Sequence, residues 1–84
     1  MSDKKDNMLT ELQLELRKSL AEQFIAIRRD KGMTQVDISE TTGILRPNIS
    51  RMEKGDYNPT LDMIARIAYS LDKKIVISFE DIEK

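Results

Sequence analysis

Three isolated glycines cut this chain into stretches of helical apolar spacing, and that pattern constrains its fold more than any other feature. From Leu9 the apolar positions run Leu9, Leu12, Leu16, Leu20, Phe24 and Ile27, in steps of three and four, with no Gly or Pro before Gly32. The spacing predicts one long helix over residues 10–31. Leu14, Ala21 and Ile25 widen its apolar stripe, while Glu11, Glu15, Arg17, Lys18 and Glu22 mark the wet side. Gly32 stops it by supplying a left-handed conformation, and Thr34 caps the next helix, with Asp37 three residues on as a weak capping box. That second helix is short, carries Val36 and Ile38, and ends near Thr42 at Gly43. Residues 45–54 hold Leu45, Ile49 and Met52 on one side and are closed by Gly55. Asp56, Tyr57, Asn58 and Pro59 form a turn, after which Thr60 caps a fourth helix through Leu71, with Leu61, Ile64, Ile67, Ala68 and Leu71 inward.

The period then changes. Ile75, Ile77 and Phe79 alternate with Lys74, Val76 and Ser78, and β-branched residues dominate, so residues 73–80 read as a β-strand. A lone strand leaves its backbone donors and acceptors unpaired, so another chain must supply the pairing or the segment is loosely held. Antiparallel pairing with its own copy across a twofold axis, through Ile75, Ile77 and Phe79, is the simplest route. The stripe of Leu9, Leu12 and Leu16 then serves either the chain's own core or a contact between two copies. Eighty-four residues make one domain, assigned to 9–84 behind a polar, flexible N-terminus at 1–8. The expected fold is all-α: four main helices with a long first one, plus one C-terminal strand that pairs in a dimer. With 39% hydrophobic and 35% charged residues the chain has the apolar content to fold rather than stay disordered.

The absence of Cys and His removes thiol nucleophiles, imidazole acid–base chemistry, the usual zinc ligands and disulfides. No calcium-loop pattern is present either. No cofactor, metal or enzymatic activity is expected. No apolar run approaches the roughly 20 residues that cross a bilayer, and no signal-peptide core follows the polar residues 2–7, so the expected location is the cytoplasm, with no membrane partner.

Two short helices joined at Gly43 and flanked by helices form a helix-turn-helix, whose second helix enters a DNA major groove. Thr34-Gln35, Gly43-Ile44, Ile49-Ser50-Arg51-Met52-Glu53-Lys54-Gly55, Pro59-Thr60-Leu61 and Ile64-Ala65-Arg66-Ile67-Ala68 closely resemble the lambda-repressor-like family of DNA-binding domains, also called Cro/cI or XRE. The resemblance covers residues 20–71, and it joins several elements at fixed offsets. On a helical projection with Ile49 inward, Leu45, Met52 and Glu53 lie on its side while Pro47, Arg51 and Lys54 lie nearly opposite. Arg46, Asn48 and Arg51 carry side chains suited to reading bases, Arg pairing with guanine and Asn with adenine, and Pro47 can pack on a thymine methyl. Gln35 stands in the first turn of helix two, where free amides and the helix dipole favour phosphate; in the similar repressors the matching Gln anchors the DNA backbone. Thr34, Ser50, Lys54, Tyr57 and Asn58 complete the expected phosphate contacts, against which Asp56 is repulsive. The resemblance also implies that Arg28 and Glu53 form an internal ion pair rather than read DNA.

Departures from the family pattern are Leu45, where Ser or Thr often caps the third helix; Pro47, which pushes Arg46 away from helical angles; and Ser39, in place of the usual Ala. The net charge of -1 is low for a DNA binder, but the acids gather at the termini and Arg46, Arg51 and Lys54 stand together. Two copies are therefore expected to act together, on a palindrome of double-stranded DNA. The implied function is a transcriptional regulator, a repressor. The alternative is an antitoxin, because compact family members with a strand after the fourth helix resemble those that neutralise a toxin and repress their own operon.

Overall fold

A computed structural model describes residues 4–83, which contain four helices: α1 (Lys4–Asp30), α2 (Gln35–Thr42), α3 (Arg46–Lys54) and α4 (Leu61–Ser70). Residues 1–3 of the expected flexible arm, and residue 84, lie outside the described residues. Helix α1 begins at Lys4 rather than at residue 10. Nothing in the sequence breaks it, Asp6 suits the positive end of its dipole, and the Thr10 hydroxyl donates to the Asp6 carbonyl at 3.1 Å.

One apolar cluster joins all four helices. Phe24 of α1, Ile38 of α2, Ile49 and Met52 of α3, Ile67 of α4, and Ile44 and Leu71 from the connecting and closing turns are buried together. Leu20, Ile27, Met33, Tyr57 and Met63 pack around them. Only the second half of α1 reaches this core. Every residue from 6 to 16 is exposed, so Leu9, Leu12 and Leu16 are not part of the chain's own core. A helix of 27 residues spans about 40 Å, and its overhang gives the molecule its 43 Å long axis against 24 and 20 Å for the others.

The α2–α3 turn is held by hydroxyl groups. Gly43 takes φ 76° and donates its N–H to the Ser39 carbonyl at 2.9 Å. The Thr42 hydroxyl donates to the Ile38 carbonyl at 2.7 Å and accepts the Ile44 N–H at 3.2 Å, while the Ser39 hydroxyl donates to the Ile44 carbonyl at 2.6 Å. The unusual Ser39 therefore pins the turn.

Four expectations are corrected. Leu45 precedes α3 as its N-cap instead of lying on its inner face, and is 70% exposed. Leu61, first in α4, is 65% exposed, and the core contact of that first turn is made by Met63 instead. Arg46 is helical despite the following Pro47. Proline at the second helical position forfeits no hydrogen bond, and the Asn48 and Ile49 amides both reach the Leu45 carbonyl, at 2.9 and 3.3 Å, to close a tight first turn. Residues 73–83, finally, form no strand: a ladder needs a partner, and this is the one β-patterned segment of the chain.

Because no heavy atom lies within 4 Å of a Cβ built on Gly43, replacing it tests the left-handed backbone alone. Gly43→Ala is expected to cost about 1–2 kcal/mol and lower the melting temperature by several degrees, with Gly43→Asn losing less. Thermal unfolding followed by circular dichroism checks this; equal melting temperatures for wild type and Gly43→Ala would contradict it.

Candidate nucleic-acid interface

Helix α3 is amphipathic in a specific sense. Ile49 and Met52 are buried against α1 and α2, while Arg46, Pro47, Arg51 and Lys54 are exposed and Asn48 and Ser50 are half-buried at the flanks. Arg51 and Lys54 occupy the last turn, where cations suit the negative end of the helix dipole. Gly55, at φ 77°, terminates the helix and donates its N–H back to the Met52 carbonyl at 3.1 Å. Among the described residues Arg46, Arg51 and Lys54 make no ion pair, so their charge is available to a partner.

The start of α2 faces the same side. Thr34 Oγ1 accepts the Asp37 N–H at 3.1 Å, and Asp37 Oδ2 accepts the Thr34 N–H at 2.8 Å, which completes the capping box. That leaves the Gln35 and Val36 amides without a partner among the described residues, pointing along the positive end of the helix. Gln35 shares a shallow concavity of about 230 Å³ with Arg46, Pro47 and Ser50. Asn48 and Tyr57 lie elsewhere, in a groove of about 330 Å³ on the other flank of α3, beside Leu45, Met63 and Arg66. Tyr57 also packs on the core. Lys54, the last residue of α3, and Asn58 beyond it are exposed, as is the intervening Asp56. The residues selected from sequence thus fall on two flanks of one helix, with Arg51 exposed between them.

Behind this surface, the Arg28 guanidinium of α1 grips Glu53 of α3 in a two-point contact: Nε to Oε2 at 2.6 Å and Nη2 to Oε1 at 3.0 Å. The two side chains are only 11% and 8% exposed. Arg28 Nη1 donates to the Met33 carbonyl at 2.8 Å, and Gln35 Nε2 donates to Glu53 Oε1 at 3.0 Å. The bond between Gln35 and Glu53 was not foreseen from sequence; the hint lay only in each residue being independently notable. No buried side-chain nitrogen or oxygen among the described residues lacks a partner.

Among the described residues no helix is long and apolar enough to cross a membrane. A sequence model of the helix-turn-helix family matches residues 25–77. An HTH-type transcriptional regulator of Methanothermobacter thermautotrophicus is 38% identical over 66% of this chain and 75% of its own length. Another, of Sinorhizobium fredii, is 31% identical over 69% and 75%. Antitoxin HigA1 of Mycobacterium tuberculosis is 30% identical over 73% of this chain and 41% of its own length. A chain of a toxin–antitoxin module from Streptococcus pneumoniae superposes with a TM-score of 0.64 at 26% identity, covering 95% of this chain and 84% of that one.

Removing one partner of the Arg28–Glu53 pair strands a mostly buried guanidinium. Glu53→Ala is expected to destabilise the fold by about 3 kcal/mol and to lower the melting temperature by at least about 10 °C. Calorimetry on the two proteins checks it, and a shift of under a degree or two would show that the pair is not structural.

Proposed function

The chain belongs to the XRE-type, lambda-repressor-like helix-turn-helix family, and on that premise we propose that it is a sequence-specific repressor that binds a palindromic operator as a homodimer in the cytoplasm. One observation carries the DNA reading: exposed cations of α3 that make no ion pair among the described residues adjoin a concavity shared with Gln35, at the start of a helix whose first two amides are without a partner there. Arg46 and Arg51 are suited to guanine edges, Asn48 to adenine and Pro47 to a thymine methyl. Thr34, Gln35 and Ser50 hold phosphates on one side of the groove, and Lys54, Tyr57 and Asn58 on the other.

The homodimer is supported by charge and apolar surface. Ile75, Ile77 and Phe79 are all exposed, Phe79 at 96%, and the overhang of α1 adds exposed Leu9, Leu12 and Leu16. Centring an antiparallel pair on Ile77 sets Ile75 opposite Phe79, Lys74 opposite Glu80 and Lys73 opposite Asp81. Parallel in-register pairing would instead set Lys on Lys and Glu on Glu, which is unfavourable. Two joined copies present two α3 helices to half-sites about 34 Å apart and double the cations available to phosphate.

A second reading, that the protein is also an antitoxin, is supported by the toxin–antitoxin neighbour, whose likeness extends over nearly the whole chain rather than residues 25–77 alone, and by the similarity to HigA1. The two roles are compatible. Co-purification of the product of an adjacent reading frame after joint expression tests the second, and two proteins that elute separately would exclude that pairing.

Selection from random duplexes is expected to return an inverted repeat. Within it Arg51→Ala should cost about 1–3 kcal/mol and blur one position of each half-site, whereas Gln35→Ala should weaken all sequences alike. Equal loss of discrimination from both variants would contradict these roles. For the dimer, Ile77→Asp should sediment as a monomer. Lys74→Glu should weaken association and the double variant Lys74→Glu/Glu80→Lys should restore it; a double variant no better than the single would refute the register.

A further inference from the structure

We propose that Glu53 is a positioning residue for DNA binding: one of its carboxylate oxygens holds the Gln35 side-chain amide in the pose that grips a phosphate. This rests on the DNA-binding reading above. Glu53 Oε1 accepts from Gln35 Nε2 and from Arg28 Nη2, both at 3.0 Å, while Arg28 Nε binds Oε2 at 2.6 Å. The third Arg28 contact, to the Met33 carbonyl, lies immediately before the N-cap Thr34. A single carboxylate, immobilised from α1, therefore joins the first residue of α2 to the last turn of α3.

Three consequences follow from the chemistry of these groups. An ionised carboxylate only accepts, so it fixes which end of the Gln35 amide turns towards it. The Gln35 nitrogen carries two hydrogens; one goes to Glu53, and the other, with the free Gln35 backbone amide, remains for a phosphate oxygen. A held side chain also loses less rotamer freedom when it binds than a free one. Finally, a lone acid beside a phosphate would repel it, and the two-point contact with Arg28 neutralises that charge in place. Glu53 thus acts on DNA through Gln35 without touching DNA.

The test is a double-mutant cycle on duplex affinity, measured by fluorescence anisotropy with wild type, Gln35→Ala, Glu53→Gln and the double variant, at a temperature where each is folded by circular dichroism. Gln35→Ala should weaken binding about tenfold, the loss of a hydrogen bond to a charged group. Glu53→Gln should weaken it about fivefold alone but less than about twofold in the Gln35→Ala background, because coupled sites are not additive. Losses that multiply independently would overturn the proposal. A second measurement needs no variant: nitrogen relaxation of side-chain amides in the free protein should find Gln35 nearly as rigid as the backbone and exposed Gln13 mobile. A Gln35 amide as mobile as that of Gln13 would also overturn it. Wild type that binds no duplex would overturn the DNA reading itself, whereas duplex binding with independent losses would overturn only the role of Glu53.

Discussion

The Arg28–Glu53 contact is where the separate parts of this small domain meet. It ties the end of α1 to the end of α3, and through Met33 and Gln35 it reaches the loop before α2 and that helix's first residue. A buried ion pair is poor evidence for net stability, because desolvating two charges offsets most of their attraction. Its value lies in direction. Apolar packing in the cluster that includes Ile38 and Ile49 holds the helices together without fixing their rotation, whereas a two-point guanidinium–carboxylate contact tolerates little. For a surface that works by the orientation of α3 relative to α2, fixing that rotation matters more than the last increment of stability.

The local chemistry of the helix ends was legible in the sequence. Thr34 with Asp37, Thr60, Gly43 and Gly55 all do what their side chains or backbone freedom suggest, and the inward placement of Ile49 and Met52 follows from helical spacing. What was not legible depends on distant partners. Leu61 and Leu45 have apolar side chains at helical positions, yet whether a core lies beneath them is decided by helix lengths and crossing geometry. Asp72 is another case: it takes φ 60° at the end of α4, where the Lys73 amide reaches the Ala68 carbonyl at 2.8 Å, although the sequence offers no glycine there.

The candidate site shows the same division. The residue types on α3 mark its outer face, and capping marks the start of α2, so the two elements could be named in advance. Their apportionment could not. Gln35, Arg46, Pro47 and Ser50 share one concavity while Asn48 and Tyr57 share another, because each flank of α3 is completed by a different neighbour, α2 on one side and α4 with its preceding loop on the other. The bond from Gln35 to Glu53 spans 18 positions, beyond any local rule, and only the packed arrangement of three helices brings the two together.

The charge balance makes sense once the surface is divided by task. A chain with 14 basic and 15 acidic residues has no excess to attract DNA as a whole. Its outer α3 face nevertheless holds three cations with no ion-pair partner among the described residues, while Glu80, Asp81 and Glu83 lie in the exposed C-terminal segment. That segment also carries Lys73 and Lys74 at its opposite end, so it complements a reversed copy of itself and repels a parallel one. In the proposed dimer Glu80 and Asp81 are paired with those lysines. The cations of two α3 helices then add where phosphate is met, and the weakness of one copy becomes a reason for the twofold arrangement that a palindrome requires.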